Sequence, residues 1–192
     1  MCAPTPSSHQ PRGFTLVEIM VVLAIMAILM GLSAMALSTY LPYSNLKRAT
    51  RTIISLCQLA RMEAIKRNTN VAVVFNAANR TCAVYTEDGP DNNWSTENDN
   101  ELFRRFSLSE LQGGIDFGHG AATKTVSGAS ISNSTSPLPP SNRFVFNPRG
   151  GITGSLGTVY LQDRTGATMA VTARSLSGSM LVRQWQGTQW TP

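Results

Sequence analysis

A chain of 192 residues, 42% hydrophobic and 14% charged, holds enough apolar material for one ordinary globular domain plus an anchor. Its formal net charge of +5 is unevenly spread: six of eleven acidic residues (Glu87, Asp88, Asp91, Glu97, Asp99, Glu101) share one loop, and beyond it the chain after Gly13 sets fifteen Lys/Arg against five Asp/Glu. Three cysteines without a CxxC pair, two histidines and the absence of GxxxxGK[ST], GxGxxG and HExxH argue against a structural zinc centre, a cofactor or an enzyme; His119, in a GHGAA segment, has no evident partner for triad chemistry.

Residues 1–13, MCAPTPSSHQPRG, form a polar leader ending in Arg12-Gly13. The apolar run follows the leader and ends without an A-x-A-like cleavage site, the reverse of a secretory signal that is cut after its hydrophobic core. Cleavage after Gly13 would therefore leave the apolar segment on the mature chain. From Ile19 to Leu37 there is neither charge nor proline. Such a helix rises roughly 28 Å, about the thickness of a bilayer's hydrocarbon core. Glu18 sits at the head of this run, and an ionisable side chain there costs a few kcal/mol unless it is paired.

Gly13-Phe14-Thr15-Leu16-Val17-Glu18 followed by an apolar run resembles the type III prepilin signal of type IV pilins and type II secretion pseudopilins. The resemblance implies cleavage between Gly13 and Phe14 by a prepilin peptidase on the cytoplasmic face, then N-methylation of Phe14. It also implies that the Glu18 carboxylate pairs with the N-terminal amine of a neighbouring subunit in a helical filament. In low dielectric such a pair neutralises both charges and fixes the axial register. The location it implies is the inner membrane, single-pass, with the C-terminal domain in the periplasm. One feature runs the other way: Lys47, Arg48 and Arg51 follow the span while only Arg12 precedes it, so the positive-inside count is not obeyed.

Pro42 is expected to kink or interrupt the helix. Helical periodicity then resumes, with Leu46, Ala49, Ile53, Leu56/Cys57, Ala60 and Ala64 on one face. The pattern fades at residues 66–68. The domain boundaries read as leader 1–13, hydrophobic helix 14–41, amphipathic helix 42–68 and a β-rich globular domain 69–192. Cys57 on the helix stripe and Cys82 at the head of a strand are placed either for a helix-to-sheet disulfide or for two buried free thiols.

Residues 71–75 and 82–85 flank an Asn-rich turn and read as a hairpin. The acidic loop 87–101 lacks EF-hand spacing and reads as solvated. Residues 102–106 and 115–117 read as short strands, while 119–142, rich in Ser, Thr, Gly, Ala and Pro, have no period and read as mobile. Strands return at 143–151, 157–163, 167–172 and 179–185.

Phe144-Val145-Phe146-Asn147-Pro148-Arg149-Gly150-Gly151, then a G-T-V-Y-L strand and two closing strands, resemble the GspH/FimT branch of pilin-like proteins. That branch implies an α+β fold: a long N-terminal transmembrane and amphipathic helix packed on a sandwich-like antiparallel β-domain. Phe144 and Phe146 would face inward, with Pro148 and Gly150 shaping the turn. The implied role is a non-catalytic minor pilin or pseudopilin that starts or caps a type II secretion pseudopilus or a type IV pilus, partnered by other subunits. The alternative is DNA uptake, because some FimT-type subunits bind DNA through a C-terminal G-R-x-R. Here Ser179 follows Gly178, so only Arg183 matches, with Arg174 a turn away.

Overall fold

The computed structural model describes residues 13–96 and 99–192, with the side chains of 33–39 left aside. The leader, other than Gly13, thus lies outside the described residues. The chain forms two compact units, Met1–Ser38 and Thr39–Pro192. Helix α1 (Leu16–Arg67) is a single element, and Pro42 lies inside it. The interruption expected at Pro42 is absent. Pro42 is buried instead, and Gly113 makes room for it: a Cβ on Gly113 would lie 2.6 Å from the Pro42 Cα. Packing of the ring thus offsets the backbone hydrogen bond that proline cannot donate.

In the first unit every large apolar side chain described between Phe14 and Leu32 is at least 47% exposed. From Leu16 to Leu32 the helix rises about 26 Å, against a hydrocarbon core of about 30 Å. Among the described residues no helix is long and apolar enough to cross a membrane. The span expected over 19–37 includes side chains outside the described set.

The second unit begins with the rest of α1. Leu46, Ala49, Ile53, Leu56, Cys57, Ala60 and Ala64 are all 4% exposed or less, the face that the period of 3.6 requires. Two five-stranded antiparallel sheets share its core. The first runs β3 (Leu102–Ser107), β2 (Thr81–Tyr85), β1 (Val71–Asn76), β5 (Arg143–Phe146), β6 (Ile152–Thr153). The second runs β10 (Trp190–Thr191), β9 (Met180–Trp185), β8 (Thr168–Ala173), β7 (Thr158–Gln162), β4 (Asp116–Phe117). The α+β architecture expected from the sequence is therefore present. Phe75 on β1 joins the layers, meeting Phe144 edge-on at 5.6 Å and Phe117 of the second sheet at 6.1 Å.

Side chains set the turns. Asn76 Oδ1 accepts the Asn79 N–H in the β1–β2 hairpin. Asp163 Oδ1 accepts the N–H groups of Thr165 and Ala167 between β7 and β8. After β5, Asn147 Oδ1 accepts the N–H groups of Arg149 and Gly151, and Gly150 takes φ +76°. Phe144 and Phe146 point inward at 1% exposure, as their alternation predicts.

Two loops depart from expectation. The acidic loop is no simple solvated excursion, because Trp94, 7% exposed, caps Ala72, Val74, Ala83 and Tyr85 on the outer face of the first sheet. Residues 119–142 are tied down at several points. Lys124 O accepts the Trp190 indole N–H, the Tyr160 hydroxyl accepts the Val126 N–H, and Pro137 O accepts the Tyr160 N–H.

Candidate functional site

The N-terminal constellation begins one residue before the helix. Thr15 is its N-cap: its side-chain oxygen accepts the Glu18 N–H at 3.2 Å, and its carbonyl accepts the Ile19 N–H at 3.3 Å. Glu18 is the third helical residue, so T-L-V-E has the spacing of a capping box. The sequence signal [ST]-x-x-[DE] before an apolar run marks this role, which a reading centred on intersubunit pairing passes over. The carboxylate stands in the first turn, where the helix dipole favours negative charge. Glu18 is exposed and forms no ion pair with another described residue. Phe14, 79% exposed, precedes the cap, and Gly13 meets nothing: a Cβ there would find no described atom within 4 Å. Gly13, Phe14 and Glu18 thus lie within six residues at the head of α1, and the contact described for Glu18 is its own backbone bond to Thr15.

Cys57 and Cys82 share the central core and are both free. The helix-to-sheet disulfide that the sequence allows is not formed, and the thiols pack as small apolar side chains. Burial pushes the Cys57 thiol up to about 12, and burial followed by the charge of a Cys57 thiolate pushes Cys82 well above its ordinary value. Above pH 9 the folded chain therefore keeps thiol protons that the unfolded chain has already released. The stability this contributes is full below the ordinary value of 9.0 and is lost as pH rises through about 12. Denaturant midpoints measured between pH 9 and 12 should fall more steeply for the natural chain than for Cys57→Ala. Alkylation at pH 8 should label both thiols only after unfolding. Equal slopes, or a thiol count of zero in the denatured mature domain, would contradict these assignments.

Arg174 is exposed and opens the turn after β8, its N–H bonded to Ser179 O. Arg183 lies on β9 opposite Ala170, half-buried, with Nε enclosed and lacking a hydrogen-bond partner. From Ala170 to Arg174 is four ladder positions, roughly 13 Å. The structure does not bring the two arginines together. His119 packs on Tyr160 with ring centroids 4.6 Å apart; its Nε2 is buried without a hydrogen-bond partner, and burial lowers its pKa. Neither a nucleophile nor an orienting carboxylate meets that ring among the contacts described.

Comparison with known proteins follows the same division. The family model described as type II transport protein GspH matches residues 49–178. The model of the prokaryotic N-terminal methylation motif matches residues 9–34. No curated protein matches the chain. Among solved structures the chain is similar to the minor pseudopilin EpsH from the type 2 secretion system of Vibrio cholerae, at 12% identity. That likeness covers 71% of this chain and 94% of the other, with a TM-score of 0.43.

Proposed function

Given that the chain belongs to the GspH family of type II transport proteins, we propose that it is a minor pseudopilin that helps to start or cap a short filament. Its role is structural. A prepilin peptidase cuts between Gly13 and Phe14, and Phe14 is then N-methylated. The apolar helix holds the subunit in the inner membrane with the β-domain in the periplasm, until it enters the filament beside other subunits. There the Glu18 carboxylate meets the amine of a neighbour.

One observation carries this reading. The apolar side chains described from Phe14 to Leu32 are exposed all round the helix, and a surface of that kind is covered by lipid or by other helices. A helix apolar on every side is not stable in water, so its surroundings must be supplied from outside the chain. DNA contact forms no part of the proposed role, because Arg174 and Arg183 stand apart and offer no paired fork to a phosphate.

The test is filament number. Nucleation by this subunit predicts that its deletion lowers the number of filaments per cell severalfold while the survivors keep their length and main-subunit content. Unchanged filament numbers and unchanged secretion in the deletion strain would overturn the assignment.

A further inference from the structure

The sequence leaves one feature unexplained: a basic cluster on the wrong side of the apolar run. In the fold, Lys47, Arg48 and Arg51 line a groove of about 540 Å³ on α1 together with Tyr40, Ser44 and Ser55. These positions follow helical steps of three and four. At 100° per residue they lie about 175° round the helix from the stripe buried under the sheets, on its opposite face. Among the described residues no carboxylate forms an ion pair with them. From Ile19 to Met62 the chain contains no acidic residue. Elsewhere Lys66, Arg67 and Arg80 find Glu63, Glu101 and Asp116, whereas the contact described for Lys47 is with the Tyr43 ring, at 4.5 Å.

We infer that this groove binds the phosphate of anionic phospholipid headgroups in the leaflet that the β-domain faces. The inference rests on the proposed membrane placement of the apolar helix. Lys47 follows Leu41 by six residues, about 9 Å of helix, and Arg51 by ten, about 15 Å. Helical side chains lean toward the N-terminus, here back toward the apolar segment and the headgroup layer. Guanidinium groups bind phosphate oxygens in a fork, and the hydroxyls of Ser44 and Ser55 add short donors. Tyr40 and Tyr43 supply the ring-and-hydroxyl chemistry that settles at a membrane interface. Three basic groups beside an anionic surface together amount to roughly a hundredfold preference over a neutral one. This gives the reversed charge count a purpose: the cluster holds the domain down on the bilayer until the subunit is drawn into the filament.

The full chain, released from mixed micelles holding equal phosphatidylglycerol and phosphatidylcholine, is weighed by native mass spectrometry for retained lipid. The expected result is at least tenfold more phosphatidylglycerol than phosphatidylcholine. That preference should fall to parity in the triple variant Lys47→Gln, Arg48→Gln, Arg51→Gln and persist in Arg149→Gln, Arg174→Gln. Equal retention by the natural chain, a preference that survives in the triple variant, or displacement of the lipid by inorganic phosphate would overturn the inference. So would a triple variant that fails to enter filaments with its lipid preference intact, which would point to an acidic subunit surface as the occupant. Alkaline carbonate separates the two readings. Release of the natural chain from membranes would remove the anchor and this inference with it, whereas a retained chain without lipid preference removes only the inference.

Discussion

Gly13→Leu is expected to leave the leader on the chain while the β-domain folds unchanged. In most folds a glycine is kept because the backbone needs a positive φ or because a neighbour leaves no room for Cβ. Neither reason holds here. Gly13 takes no positive φ, and a Cβ would meet no described atom within 4 Å. Gly150 and Gly113 are the contrast, since each has a positive φ and a neighbour within about 3 Å of the added carbon. With no demand from the described part of the fold, the proposed cut supplies the reason for glycine at position 13: a peptidase would have to bring its catalytic groups against the backbone at the scissile bond, where a side chain would stand in the way. Processing should therefore fall by orders of magnitude while the thermal midpoint of the domain stays constant. Intact-mass measurement on membrane fractions reads the outcome directly. A Gly13→Leu chain that begins at Phe14, or a natural chain that keeps Met1 in a peptidase-competent host, would refute the proposed cut.

What the sequence made legible was whatever depends on local period. The stripe from Leu46 to Ala64 repeats at 3.6, and each of its members is buried; β1, β2, β7 and β8 are apolar runs buried on successive residues and fall within a residue of their expected limits, while β5 ends at Phe146, five residues short of the expected 151. The parts that escaped depend on partners far along the chain. Strands β6 and β10 are two residues each and exist only through register with β5 and β9. Trp94 is embedded among acidic residues, so composition labels its loop as solvated, yet the indole closes over the outer face of the first sheet. Residues 119–142 have no period because they are held from outside, by Tyr160 and Trp190. Pro42 reads as a breaker until Gly113, seventy-one positions later, is seen to vacate the space it occupies. The N-terminal methylation motif was legible in residues 13–18, and the same letters also spell the helix cap at Thr15.

That second reading of Glu18 decides how its substitution must be judged. Two roles compete for the carboxylate, and their magnitudes differ. Within the chain it stands at the positive end of a helix, worth about 0.3–1 kcal/mol at an exposed site. The capping bond itself runs from the Glu18 backbone N–H to Thr15 Oγ1, so Glu18→Ala preserves it. Alanine is also the better helix former, which recovers a few tenths of a kcal/mol. The isolated subunit should therefore scarcely notice the change, and membrane insertion should improve. Across a subunit contact the account is different: removing one member of a buried ion pair strands the other and costs about 3–5 kcal/mol. That corresponds to a loss of incorporation of about two to four orders of magnitude. Thr15→Ala supplies the control, because it removes the cap, worth about 0.5–2 kcal/mol, and keeps the carboxylate. If the carboxylate serves pairing, Glu18→Ala and Glu18→Gln abolish filament entry while Thr15→Ala reduces it modestly. If it serves only the helix end, Thr15→Ala is the more damaging of the two. Subunit content of purified filaments, normalised to the membrane pool, distinguishes them, and equal content for Glu18→Ala and the natural chain would end the pairing role.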